Sequence, residues 1–348
     1  MEGFLLGKSK KVGLPKALIH YKFETMWKVF FQELGAEVVI SPETTKKIRE
    51  AAIKSAPDED CYSTKIYHGH VFELKDKVDY LFIPRFGSKH KTDMGCPKFI
   101  GLADVLRSMY PDLPKIIAPH YNVAKYGHGK KDFFWQVLKV GFVFTNNPFR
   151  IIRAMRKALK ADKEYKKKLI IDIDTLQKWE RSEILLNDPP DEIPGEKSLK
   201  IALVGHSYVL NDSYCSLDIK KKLKKHGVDF IISEQMPKEL IDYQLDKLEN
   251  RLYFEFEREI LGTIMYFLES GTVDGIIHIM IFSCGPDSLA GELASRFARR
   301  QHDVQLLQLV FDDLTAEAGM NTRIEAFVDM LRRRKEKIAY HIPTLRVT

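Results

Sequence analysis

The chain has 348 residues, 45% of them hydrophobic and 30% charged, with a formal charge of +7. That length allows two domains, each with its own core, and the balance is that of a globular protein rather than a disordered or fibrous one. The longest apolar run, at residues 275–284, has about half the length of a membrane span and is interrupted by His278. The opening MEGFLLGKSKK lacks the long apolar core of a signal peptide, so no membrane association and a cytoplasmic location are expected. Positive charge gathers at residues 157–168, 220–225 and 332–337, each in a helical pattern that reads as a solvated face. Without a nucleic-acid-binding motif beside them, no nucleic-acid partner is expected.

In chain order, the apolar run Lys11–Pro15 precedes a helical pattern in which Met26, Trp27, Phe30, Phe31 and Leu34 recur at the spacing of one buried face. Gly35 ends it, where a left-handed residue is least strained without a β-carbon, and residues 36–41 read as the next strand. An acidic segment, residues 57–60, leads into Cys61 and a helix marked by Ile66, Val71, Phe72 and Leu74. Residues 77–84 read as a buried strand, Cys96 then opens a helix, and a strand at residues 115–118 closes the half. A Lys-rich helical stretch, residues 132–178, ends in the Pro- and Gly-rich segment 187–195, a natural boundary. The second half repeats the order: a strand at 200–205, a helix stopped by Gly227, a strand at 228–233, a buried strand at 272–281, Cys284 opening a helix, and a strand at 304–311. The expected fold is α/β. Two Rossmann-like lobes with parallel sheets, residues 1–131 and 198–348, are related by an internal repeat and joined by a helical connector and Pro-rich linker at 132–197.

Four cysteines are too few for a disulfide scaffold, which turns attention to chemistry or metal binding. In open parallel sheets, ligands sit beyond the carboxyl ends of the strands. Cys96 and Cys284 occupy equivalent loops at that edge, and Cys61 also precedes a helix. Three thiols at helix N-termini in an interlobe cleft would share the dipoles and N–H groups that stabilise thiolates and an anionic cluster alike. Thiolates select zinc or iron–sulfur. The chain lacks the Cys-x-x-Cys pair usual in structural zinc sites, which favours iron–sulfur and leaves zinc open. His70 and His206 lie near the same edge as candidate proton donors, although each reads first as a hydrogen-bonded structural residue. No phosphate-cradling Gly-x-x-x-x-Gly-Lys-Ser/Thr loop is present, and Gly127–Lys131 lacks its spacing, so nucleotide hydrolysis would fall to a partner.

Residues 12–17, 31–39, 60–66 leading to Gly69-His70-Val71, 96–101, 284–288, 315–319 and 323–327, in that order, resemble the 2-hydroxyacyl-CoA dehydratase subunit family. The likeness is greatest to its shorter acyl-CoA dehydratase activase-related (CoA protein activase) members and is weakest at 132–197. It implies an oxygen-sensitive [4Fe-4S] cluster held by Cys61, Cys96 and Cys284 in an anaerobe-type protein, with one iron left open. It also implies a partner, an ATP-dependent iron–sulfur activator that injects low-potential electrons. Dehydratase members use the electron on a CoA thioester, so the resemblance points to an (R)-2-hydroxyacyl-CoA dehydratase-like activity or an ATP-coupled reductase component, within a homo- or hetero-oligomer. Tyr62, Ser63 and Thr64 depart from the apolar or small residues of relatives, and the chain is shorter than catalytic dehydratase subunits, which bears on a CoA pocket. Cys215 falls outside the family pattern; it reads as a buried thiol, with a fourth-ligand role as the alternative. Two other classes stand beside this one: an assembly or scaffold subunit with a structural cluster, and a zinc-stabilised binding protein.

Overall fold

In a computed structural model of the chain the described residues are 9–127, 129–187, 198–301 and 303–341. The opening residues 1–8, His128 of the Gly127–Lys131 segment, and the expected linker beyond Asn187 lie outside them.

The first half contains β1 (Lys11–Leu14), β2 (Glu37–Ile40), β3 (Tyr80–Phe82), β4 (Arg85–Ser88), β5 (Lys115–Ile117) and β6 (His120–Asn122). The second contains β7 (Leu199–Gly205), β8 (Val228–Ile232), β9 (Gly275–Ile281) and β10 (Gln305–Phe311). Two four-stranded sheets result, ordered β2-β1-β3-β5 and β10-β9-β7-β8, with β4 and β6 forming a small third sheet. Every strand pairing among the described residues is parallel. The protein is therefore mixed α/β with Rossmann-like parallel sheets. Read from the β2 and β8 edges, both larger sheets run second, first, third, fourth in chain order.

The strand read at 77–84 is shorter than expected. It stops at Phe82 and a second strand begins at Arg85. Pro84 and Pro119 explain the interruption, since neither can donate to a ladder. They stand at matching places in neighbouring strands, spanned by Ile83 N–H on Ile117 O (2.9 Å) and Arg85 N–H on Pro119 O (2.8 Å). Both strands thus turn together into the small sheet.

Alternation along the strands divides the core. Leu81 and Ile83 face one core and Phe82 another, as Ile201 and Leu203 do against Ala202 and Val204. One face of the first sheet packs Val12, Leu14 and Phe82 on Trp27, Phe30 and Phe31 of the helix His20–Glu33. One face of the second packs Ala202, Val204 and Ile231 on Trp179, Ile260 and Phe267. The remaining faces share a continuous core, in which Ile66, Val71 and Leu106 join Phe256, Ile277 and Leu210. The helix Tyr62–Leu74 lies in that shared core and is buried on nearly all sides.

Between the halves, Asn147 starts the helix Pro148–Leu169 by accepting from the N–H groups of Phe149 (3.0 Å) and Arg150 (3.2 Å). Pro148 fits the first turn because no intrahelical partner is lost there. This helix buries Ile151, Ala154, Met155 and Ala158 on the first half and exposes Arg153, Arg156, Lys157, Lys160 and Lys163. The next helix, Ile173–Glu180, gives Leu176 and Trp179 to the second half. Gly35 (φ +83°) and Gly227 (φ +65°) follow helix ends in the left-handed conformation that glycine adopts without strain. No described helix is long and apolar enough to cross a membrane.

Candidate metal and redox site

Three of the four cysteines are helix N-cap residues: Cys61 of Tyr62–Leu74, Cys96 of Pro97–Met109 and Cys284 of Gly285–Arg300. That position leaves first-turn N–H groups free beside the side chain. Pro97 and Pro286 sit in first turns, where no ladder bond is lost. Gly95 lets the chain reach Cys96, because a β-carbon there would come within 2.4 Å of Gly87 O. Ser283 takes φ +62°, a strained value for a residue with a side chain, in the turn from β9 to Cys284.

Cys284 adjoins two other donors. Ligand-capable atoms of His206, Glu257 and Cys284 lie within 4.8 Å of one another, a group able to hold a metal ion. His206 Nε2 is 3.7 Å from Glu257 and 3.9 Å from Asp287, beyond hydrogen-bond reach. It is buried with no hydrogen-bond partner among the described residues. Asp287 is itself fixed, accepting from the Ile281 N–H at 3.1 Å and lying 3.3 Å from His278 Nε2.

The His206 ring stacks on Tyr208, with centroids 4.8 Å apart and planes 9° from parallel, and Phe99 meets Tyr208 edge-on. Burial first, then the charges of Cys284, Cys61 and Cys96, push the Tyr208 phenol well above its ordinary value. All three thiols therefore lie within electrostatic reach of this ring. Burial pushes the Cys96 thiol up to about 11 and the Cys284 thiol further, with Asp287 adding to the latter and Cys61 to both. Burial also lifts the Glu257 carboxyl to about 7. Here burial outweighs the helix termini, and a bound cation would reverse that balance.

The Cys96 loop is fastened to the helix that carries Glu257. Asp93 grips Arg251 through both carboxylate oxygens (2.5 and 2.8 Å). Met94 donates to Tyr253 O at 2.9 Å, and Glu255 donates to Met94 O at 3.1 Å.

Cys215 and His70 belong to a second buried cluster. The Thr44 hydroxyl donates to Asp212 Oδ2, so it must accept from His70 Nε2–H at 2.9 Å. His70 Nδ1 then accepts from the Ser41 hydroxyl at 2.8 Å. Asp212 Oδ1 accepts from the N–H groups of Tyr214 and Cys215. Burial pushes the Cys215 thiol up, and Asp212 adds to the effect. The structure thus brings Cys284 together with His206 and Glu257, leaves Cys61 and Cys96 within electrostatic reach of the same ring, and sets Cys215 and His70 in this network.

Glu257, Tyr208 and Asp287 escape a reading of the sequence. Glu257 is one of three acidic residues at 255, 257 and 259, where an acidic first turn is ordinary. The available signal is its phase. It precedes Ile260, Leu261 and Ile264 at three, four and seven residues, on the buried stripe of the helix Glu255–Ser270.

No curated protein matches the chain in sequence. One family does, over residues 11–236, a stretch that runs from β1 past β8 and takes in Cys61, Cys96, His206 and Cys215. With more than half its length matched, the chain belongs to the CoA-activase-related family described as the CoA enzyme activase uncharacterised domain.

Proposed function

We propose that the chain is an iron–sulfur redox protein of acyl-CoA dehydratase systems, related to their dehydratase subunits, with one [4Fe-4S] cluster on Cys61, Cys96 and Cys284 between its halves. The observation that carries this reading is that three thiols, each the N-cap of a different helix and drawn from both halves, border the same shared core as Tyr208. The donor set fits such a group: soft thiols, with helix N-termini favouring negative charge. The common strand order of the two large sheets supports the internal repeat in which Cys96 and Cys284 are equivalent. Family membership supports an ATP-dependent activator as the partner. When bound, the cluster would supply low-potential one-electron chemistry.

The chain's own part is to hold and shield that site. Asp93–Arg251 and the Met94–Phe254 bridge keep the Cys96 loop against the second half. Tyr208, Phe99 and Phe256 wall it with aromatic rings. We assign the fourth position to His206 or to a substrate, rather than to Cys215, whose buried thiol is paired with Asp212 in the second cluster.

A second reading rests on the nitrogen, oxygen and sulfur donors of His206, Glu257 and Cys284 within 4.8 Å of one another. A single zinc ion, with bonds of roughly 2.0–2.3 Å, could bridge them after slight closure. Anaerobically purified protein, assayed for iron, acid-labile sulfide and zinc, separates the two. Iron and sulfide in equal amounts and an EPR signal after reduction are expected. Colourless protein with stoichiometric zinc and no sulfide would overturn the cluster reading. A change in the EPR signal on adding a 2-hydroxyacyl-CoA thioester would mark the site as catalytic, and no change would mark it as electron-relaying or structural.

A further inference from the structure

The connector between the halves concentrates the positive charge of the chain. Residues 123–170 hold thirteen Lys and Arg against three Asp and Glu, a net +10, whereas the whole chain carries +7. The remaining residues are therefore net −3, and this asymmetry makes a local field rather than an evenly solvated surface. Helix Pro148–Leu169 packs Ile151, Ala154 and Ala158 against the first half, so its outward face is polar. On that face Phe149, Arg153, Arg156, Lys160, Lys163 and Lys167 are all exposed, and steps of four and three residues set them in one stripe. The five cations span about 21 Å at the helical rise. Among the described residues only Lys160 of the five has a carboxylate within ion-pair distance, Glu164 at 3.9 Å.

Exposed rings adjoin the stripe. Phe142 follows helix Gly129–Gly141 and Phe149 opens the next helix, on the two sides of a short turn. Phe134 and Trp135 stand on the outward face of the first helix. Trp135 is 61% exposed and Phe149 79%. Lys131 and Lys139, both exposed, flank Trp135 at four-residue intervals on the same side of their helix. Apolar rings this open, gathered within one hairpin and rimmed by cations, mark a surface that a partner covers. Single-stranded nucleic acid is held in basic grooves with rings beneath the bases, whereas these rings stand on outward helix faces. Protein interfaces exclude lysine from their centres, whereas lysine and arginine fill this stripe. A bilayer meets both parts: rings enter the headgroup region, and cations lie against anionic headgroups.

We propose that the connector hairpin is a docking surface for a lipid bilayer rich in anionic phospholipid, with Trp135, Phe142 and Phe149 at the headgroup level and the stripe from Arg153 to Lys167 against the phosphates. Such adsorption needs neither a membrane span nor a signal peptide, so the sequence features that argue against a membrane partner do not bear on it. The charge at 157–168, a solvated face by sequence alone, belongs in the structure to this larger surface.

The test floats the full chain with vesicles of phosphatidylcholine alone and of an equal mixture with phosphatidylglycerol. Binding to the anionic vesicles only, lost when salt is raised to molar strength, is expected because screening shortens the reach of surface charge. Trp27 and Trp179 are buried, so a blue shift of tryptophan emission on binding, and its quenching by brominated lipid, report Trp135. Each cation near an anionic surface contributes about fivefold to partitioning, so reversing two, Arg153→Glu with Lys160→Glu, should weaken binding at least about a hundredfold. Phe149→Ser should weaken it about fivefold and leave the salt dependence in place. All three substitutions alter exposed residues, so both variants should unfold at the wild-type temperature. Flotation with neither vesicle, equal flotation with both, unchanged binding of the folded charge-reversal variant, or tighter binding of a single-stranded RNA oligonucleotide than of vesicles would overturn the proposal.

Discussion

The clusters around Tyr208 and around His70 are built from similar parts in similar places. Both gather buried histidine, carboxylate and thiol near the carboxyl ends of parallel strands: His206 and Cys284 follow β7 and β9, and Ser41 follows β2. They differ in whether the ring nitrogens of the central histidine are filled. Around His70 each proton has one direction to go, from Ser41 through His70 and Thr44 to Asp212. Around Tyr208, His206 Nε2 meets no acceptor among the described residues, and burial holds Cys96 and Cys284 as thiols and leaves Glu257 on the edge of protonation near neutral pH. An unsatisfied buried polar group costs about 1–3 kcal/mol, so a set of them is retained where a ligand completes it. Position at a strand end does not separate a ligand site from scaffolding. An open nitrogen on the central histidine, beside a carboxyl and a thiol, does.

The largest expected effect is on metal content. Cys61→Ala, Cys96→Ala and Cys284→Ala should each remove most of the iron and sulfide bound by anaerobically prepared protein, because the ligands share the binding free energy. Cys215→Ala should leave most of it in place. If Cys215→Ala depletes iron as far as the other three, the two clusters are not functionally distinct and the proposed open position is closed.

Next in size is a pair of opposite pH dependences in metal-free protein. Burial raises Glu257 to about 7 in the folded state, against about 4.3 in an unfolded chain. The folded protein therefore holds an extra proton between those values. Its contribution is fully present below about pH 4.3 and is lost as pH rises through 7, amounting to about 4 kcal/mol. His70 has the reverse sign. Burial lowers it to about 4, against about 6.5 unfolded, so stability present above about pH 6.5 is lost as pH falls through 4, here by about 3 kcal/mol. Urea unfolding across pH should show Glu257→Gln gaining stability near pH 8 and flattening the alkaline slope. His70→Gln should flatten the acid slope. Unchanged slopes in either variant would remove the electrostatic half of the comparison.

Much of this architecture is legible in the sequence because buried parallel strands are continuous apolar runs. Lys11–Leu14, Val228–Ile232 and Gly275–Ile281 announce themselves in that way. The small sheet does not, since β4 reads Arg-Phe-Gly-Ser and owes its existence to Pro84 and Pro119 turning two strands together. Cys96 and Cys284 stand out because a Cys-Pro or Cys-Gly-Pro opening marks a helix start, and Cys61 because an acidic segment leads into it. Their companions do not. Glu257 hides among acidic neighbours, and Tyr208 and Asp287 gain meaning only through what stacks on them or donates to them. The His70 cluster is less legible still, as Thr44 and Asp212 meet across 168 residues. Hydrogen-bond direction is a property of such contacts and has no local pattern.

The smallest expected effect is also the sharpest comparison, because it pairs one substitution from each cluster. Thr44→Val keeps the branched shape and removes the hydroxyl that links His70 Nε2–H to Asp212 Oδ2. A donor and an acceptor are then left buried together, partly offset by the added methyl group, and a loss of about 2 kcal/mol is expected. His206→Phe keeps a ring to stack on Tyr208 and removes a nitrogen that had no partner. In metal-free protein no hydrogen bond at Nε2 is broken, so the change should fall within about 0.5 kcal/mol of wild type or be slightly stabilising. Urea denaturation of both variants near neutral pH reads the difference directly. Equal losses would mean that His206 Nε2 is satisfied in solution and that the Tyr208 cluster is scaffolding like its counterpart. A loss confined to Thr44→Val, with metal retention impaired only in His206→Phe, is what separates a filled network from one waiting for a ligand.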